Sequence, residues 1–135
     1  MSTLEPERSV NPALRTAFAD LCFSILLALF GMVYEGFSHG VYSFYMIYAF
    51  LFLLGGGALP FLVVGLQKNS RSINPSAKAL YHCGLATLTI GSILQGVLEI
   101  YGTTNGLIRI YWIAGLPLAI VGAVLCVLLR DSAAR

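Results

Sequence analysis

Four long apolar stretches separated by short polar segments constrain this chain more than any other feature of its sequence. Each stretch is long enough to cross the hydrocarbon core of a bilayer, which takes about 20 helical residues. Only 10% of the residues are charged and the mean hydropathy is +0.83, which excludes an ordinary soluble domain. The stretches cover about residues 16–34, 41–66, 79–100 and 110–129.

Because lipid cannot satisfy backbone polar groups, segments of this length and composition are expected to be helices. The predicted fold is an all-α membrane protein, a compact bundle of four transmembrane helices. Residues 16–130 form the transmembrane domain, and residues 1–15 and 131–135 are short tails.

The distribution of basic residues predicts the orientation of the bundle. Only Arg109 flanks one side of the predicted membrane domain. The other side carries Arg8, Arg15, Lys68, Arg71, Lys78, Arg130 and Arg135. By the positive-inside rule both termini are cytoplasmic, and we expect the membrane to be the plasma (inner) membrane of a bacterium.

Small residues at helical spacing predict close packing between helices in the third and fourth stretches. Gly and Ala allow helix backbones to approach closely. In a bilayer this matters because lipid is as apolar as the side chains, so van der Waals packing rather than the hydrophobic effect drives helix association. This packing can occur inside one bundle or between two copies of the chain. The predicted packing residues are Gly84, Gly91, Gly96, Gly115, Ala119 and Ala123.

The second stretch is interrupted near its middle by Gly55, Gly56, Gly57 and Pro60. Proline removes a backbone donor and glycine lowers helix stiffness, so a kink or an unwound turn is predicted, and these residues are candidates for a hinge. Two explanations are open. The break can let a neighbouring helix approach, or it can line a substrate site, as discontinuous helices do in some transporters.

The predicted topology gathers Glu35, His39, Glu99 and Arg109 at the outer face, with Gln95 one turn below Glu99. A carboxylate at this depth is costly alone, so we expect Glu99 and Arg109 to form a contact. The group is either a structural polar cap or a site for an ion or a small ligand.

A second candidate pair lies toward the cytoplasmic side. Asp20 is about one turn inside the first stretch, and His82 lies at a similar depth in the third. Contact between them would satisfy both groups and could titrate near neutral pH, which makes them a candidate proton-linked pair. The alternative is two ordinary interfacial side chains.

The sequence indicates no cofactor and no metal. Its three cysteines form no CxxC pair and no zinc-type cluster with histidine, and the two histidines are expected on opposite sides of the membrane. A net charge of +2 is too small to indicate a nucleic-acid partner.

The leading hypothesis is an interaction or accessory subunit of a larger membrane complex, because packing residues are abundant and no catalytic set is recognisable. The expected partners are the lipid bilayer and either further copies of the chain or other subunits. The main rival is a small-molecule or ion-coupled transporter or binding protein that uses the outer polar residues and the broken second helix. An enzyme is a less favoured third hypothesis, and no catalytic residue is assigned.

Overall fold

A computed structural model of the chain describes residues 10–67 and 72–130. In these two ranges the regular structure is entirely helical and contains no strand, which confirms the all-α prediction. Most of the predicted tails lie outside the described residues. So do four of the basic residues on the side predicted to be cytoplasmic: Arg8, Lys68, Arg71 and Arg135. Four helical segments are long and apolar enough to cross a membrane: Pro12–Gly36, Phe44–Leu66, Pro75–Ile100 and Gly106–Leu128.

The first and third spans begin in the same way. Helix α1 is Pro12–Gly36, and Asn11 precedes it with a side chain that accepts a hydrogen bond from the Ala13 amide at 3.0 Å. Asparagine is a favoured residue at this position, and proline at the first helical position has no amide to leave unpaired. The third span, Pro75–Ile100, begins after Asn74 with the same arrangement.

The second span, Phe44–Leu66, is not one regular helix. It consists of α2 (Phe44–Tyr48), α3 (Phe50–Leu53), a π-helical turn (Leu54–Ala58) and α4 (Leu59–Leu66). The π turn contains the three glycines that predict an interruption, and Pro60 stands at the start of α4. A hinge role for these residues stays a prediction.

The order of packing follows from these helices together with α5 (Pro75–Ile100) and α6 (Arg109–Leu128), which follows a 3₁₀ turn at Gly106–Ile108. The second span lies between α1 and α5, and α6 packs along α5. Helix α6 also reaches the second span through Trp112, whose ring contacts those of Tyr45 and Phe52. The second span and α5 therefore form the middle of the structure.

Glycines bring α5 and α6 into close contact. A methyl group added at Gly84 would lie 2.6 Å from the Cα of Ala119, and one added at Gly115 would lie 2.8 Å from the side chain of Leu88. Gly91 faces Tyr111 in the same way. Gly96 packs against Met46 of α2 instead, and Ala123 borders a small cavity beside Tyr81.

Candidate functional site

Both irregular points in the second span leave a carbonyl that a hydroxyl group from α5 satisfies. Pro60 has no amide to donate to the carbonyl four residues earlier, and the Tyr81 hydroxyl donates to that oxygen, on Gly56, at 2.5 Å. At the other break, the Ala49 amide bonds to Met46 rather than to Tyr45.

Ser92 of α5 supplies the hydrogen bond that is missing at the second of these breaks. Its hydroxyl donates to the carbonyl of Tyr45 at 2.7 Å. In a bilayer, irregular backbone is tolerated only where protein or water supplies the missing hydrogen bonds. The two hydroxyls of α5 therefore allow the second span to stay broken within a membrane.

The π turn lies directly beside a buried carboxylate of α1. Asp20 is about 12 Å along α1 from Pro12, at 1.5 Å rise per residue, and its side chain is 8% exposed. A methyl group added at Gly57 would lie 2.7 Å from Asp20 Oδ2, so only glycine leaves room for the carboxylate here. The glycine break thus creates the space that Asp20 occupies.

His82 of α5 binds this carboxylate, as the sequence suggests. Its Nε2 lies 3.0 Å from Asp20 Oδ2, and its Nδ1 lies 2.9 Å from the carbonyl oxygen of Lys78. A carbonyl oxygen can only accept, so Nδ1 must carry a proton and donate it. Because Nε2 faces a second oxygen, another proton must lie between Nε2 and Oδ2.

This geometry determines how many protons the pair holds. Either the imidazole is doubly protonated and donates to the carboxylate, or a protonated Asp20 donates to the neutral imidazole. In both forms the pair as a whole is neutral. Loss of one proton would leave a carboxylate and a ring nitrogen, both acceptors, facing each other inside the protein.

The neighbours of the pair are aromatic on one side and basic on the other. The ring centroids of Phe61 and His82 are 5.2 Å apart. The Tyr81 ring packs edge-on against His82, with a centroid distance of 5.9 Å. Toward the membrane surface, the Lys78 ammonium donates to the Thr16 hydroxyl at 2.9 Å. The pair, the π turn and Tyr81 form one connected cluster, which we call the inner site (Asp20, Gly56, Gly57, Tyr81 and His82).

At the opposite end of the helices, Glu35 and Glu99 both accept hydrogen bonds from Ser43, which the sequence did not single out as a site residue. Ser43 is buried at the start of α2. Its amide donates to Glu35 Oε1 at 3.2 Å, and its hydroxyl donates to Glu99 Oε2 at 2.6 Å. Ser43 thus connects α1, α2 and α5 through two carboxylates.

The prediction that Glu99 and Arg109 form a contact is wrong, since Glu99 bonds Ser43 instead. Arg109 is exposed and has no ion pair or hydrogen bond through its guanidinium among the described residues. His39 is exposed in the turn after α1, where its Nδ1 contacts the carbonyl of Phe37. Gln95 makes no hydrogen bond within residues 10–67 and 72–130. The five predicted outer residues therefore do not converge on one site.

Two of the missed residues had a signal in the sequence. Tyr81 could have been found by asking which group replaces the amide that Pro60 lacks. Ser43 had a weaker signal, since serine favours a helix start, but its hydroxyl bonds a glutamate from a distant helix. No group of three or more His, Cys, Asp or Glu side chains in the described part of the chain could hold a metal ion.

Comparisons with family models, with curated proteins and with solved structures found no match to this chain.

Proposed function

We propose that the four spans form a compact bundle in the plasma membrane of a bacterium, with both termini in the cytoplasm. The positive-inside rule supports this orientation. Arg15, Lys78 and Arg130 lie at the end where α1 begins, and Arg109 lies at the other end.

Cysteine labelling tests this orientation. With Cys22, Cys83 and Cys126 replaced, a single cysteine at exposed Thr104 is expected to react with an impermeant thiol reagent on intact cells. A single cysteine at exposed Ser72 should react only after the membrane is opened. The reverse pattern would overturn the orientation.

For the activity, we propose a proton-coupled transporter or binding protein in which the inner site takes up and releases one proton. This proposal rests on the contacts of His82, because both of its ring nitrogens face oxygen atoms, one of them on Asp20. Ionisable residues inside membrane spans are costly and are commonly retained for ion or proton pathways.

The position of the pair gives the proton a means of changing the structure. Asp20 is packed against Gly57 of the π turn, and Tyr81, the neighbour of His82, bonds Gly56 in the same turn. Removing the proton would make Asp20 and His82 repel, because two acceptors would then face each other. The π turn, an irregular element of the kind often found at functional sites, is the nearest part of the backbone able to respond.

Nuclear magnetic resonance of histidine ring nitrogens tests the proposal. In a His39→Gln background, His82 is the one remaining histidine. As the pH is raised in lipid bilayers, we expect the His82 Nε2 signal to change in one step, with the amide signals of Gly56 and Gly57 changing in the same step. This coincidence is expected because one proton holds the contact between α5 and α1.

Asp20→Asn is the matched control, because its amide group can donate to the neutral ring without the shared proton. The step is then expected to disappear while the fold remains. An Nε2 signal that behaves identically with Asp20 and with the substituted amide would refute the shared proton. A proton step without any change at Gly56 and Gly57 would refute the coupling.

A second candidate function is that of an interaction or accessory subunit, and Gln95 favours it. Its side chain lies within the third span, one turn beyond Gly91 on α5, and it is only partly exposed. The amide has no partner in the described chain, and an unpaired amide in hydrocarbon costs free energy. Polar side chains of this kind hold transmembrane helices of different chains together.

A further inference from the structure

An apolar groove of about 940 Å³ runs between α1 and the second span. Its floor is made of the small residues Ala17 and Ala58, which are 4% and 5% exposed. Its walls include Phe18 and Leu21 of α1 and Leu62 of α4. All three wall side chains are exposed along the groove, so the described chain leaves it open toward the bilayer.

One end of the groove carries a cation. Arg15 lies in the first turn of α1, borders the groove and is exposed. The other two described cations at this end have partners, since Lys78 donates to Thr16 and Arg130 donates to Gln67. The Arg15 guanidinium makes no hydrogen bond or ion pair in residues 10–67 and 72–130. The groove therefore combines a long apolar surface with one positive charge that has no partner within residues 10–67 and 72–130.

We infer that this groove binds an anionic phospholipid, with an acyl chain between α1 and α4 and the phosphate on Arg15. Arginine binds phosphate oxygens through paired N–H groups, and its position one turn into α1 matches the level of lipid headgroups. A protein helix in the groove would cover Arg15 and would have to supply a matching acidic side chain. A phospholipid brings the apolar chain and the negative charge in one molecule, in the order that the groove presents them.

Native mass spectrometry of the delipidated full-length protein tests this inference. Phosphatidylglycerol and phosphatidylcholine with identical acyl chains are added in turn, and bound lipids are counted. We expect phosphatidylglycerol to bind about fivefold more tightly, which is the usual contribution of one basic residue near a charged headgroup. Arg15→Gln should remove this preference, whereas Arg109→Gln, at the opposite end, should keep it. Equal losses in both variants would show non-specific attraction and overturn the site.

Variants in the groove locate the acyl chain. Leu62→Trp and Leu59→Trp narrow the groove and are expected to reduce binding of both lipids, while Leu116→Trp on α6, outside the groove, should not. Unchanged lipid binding in both groove variants would refute an acyl chain there, and circular dichroism checks that each variant folds. Displacement of the lipid by inorganic phosphate alone would indicate a free-anion site. A dimer lost on Leu62→Trp would indicate a second copy in the groove, and either result overturns the inference.

Discussion

Gly84→Ala is expected to disrupt the packing of α5 on α6 and to lower the stability of the protein by about 3 kcal/mol, the upper part of the range for overpacking. The added methyl group would meet the backbone nitrogen and Cα of Ala119, which cannot rotate away as a side chain could. The two helices would have to separate, and Gly115 and Gly122 would lose their close contacts along the same interface. The measurement is reversible unfolding in mixed detergent micelles.

Gly36→Ala is the control for this experiment. Gly36 ends α1, and a methyl group added there meets no atom within 4 Å. The substitution should leave stability unchanged or raise it slightly, because alanine reduces the freedom of the unfolded chain. If Gly84→Ala and Gly36→Ala unfold alike, α5 and α6 do not pack through Gly84.

Gln95→Leu is expected to weaken association with a partner chain by about tenfold. A hydrogen bond between transmembrane helices contributes about 1–2 kcal/mol in model peptides, and 1.4 kcal/mol corresponds to tenfold. The isolated protein should be as stable as before or more stable, because the substitution removes an amide that has no partner in the described chain. Native mass spectrometry after mild extraction measures the associated fraction.

Leu94→Ala serves as the neighbouring control for Gln95. Leu94 is 37% exposed on the same helix and offers no hydrogen bond, so its truncation should leave the associated fraction nearly unchanged. Reduced stability of the isolated Gln95→Leu protein would show that the amide serves the fold. A protein that stays monomeric with Gln95 present would remove the support for a subunit role.

Some local features of the inner site were predictable because they depend on spacing and depth along single helices. Gly55, Gly56, Gly57 and Pro60 predict a break wherever the helix lies, since each acts on its own backbone. Asp20 and His82 were expected at similar depth, and the structure brings them within 3.0 Å. Predicting the break and the similar depth of the pair required no knowledge of how the helices are turned about their axes.

The contact between Glu99 and Arg109 was predicted wrongly because it depends on that rotation. Glu99 lies at helical spacing both from Gln95 and from the small residues Gly96 and Ser92 of α5. The sequence does not say which of these two rows of residues faces the second span. In the structure Ser92 and Gly96 contact the second span, so Glu99 on their row meets Ser43 of the same span. Arg109 begins α6 after a 3₁₀ turn and remains exposed.

The amino-acid sequence by itself determined the all-α class, four spans of membrane length and the site of the break in the second span. Apolar length and the chemistry of glycine and proline act locally, so they can be read without a partner helix. Only the tertiary structure decided that Tyr81 satisfies Gly56, that Ser43 joins two carboxylates, and that Arg15 lies at the end of a groove. Those outcomes depend on which face each helix turns toward its neighbours, and many rotations bury similar apolar area in lipid.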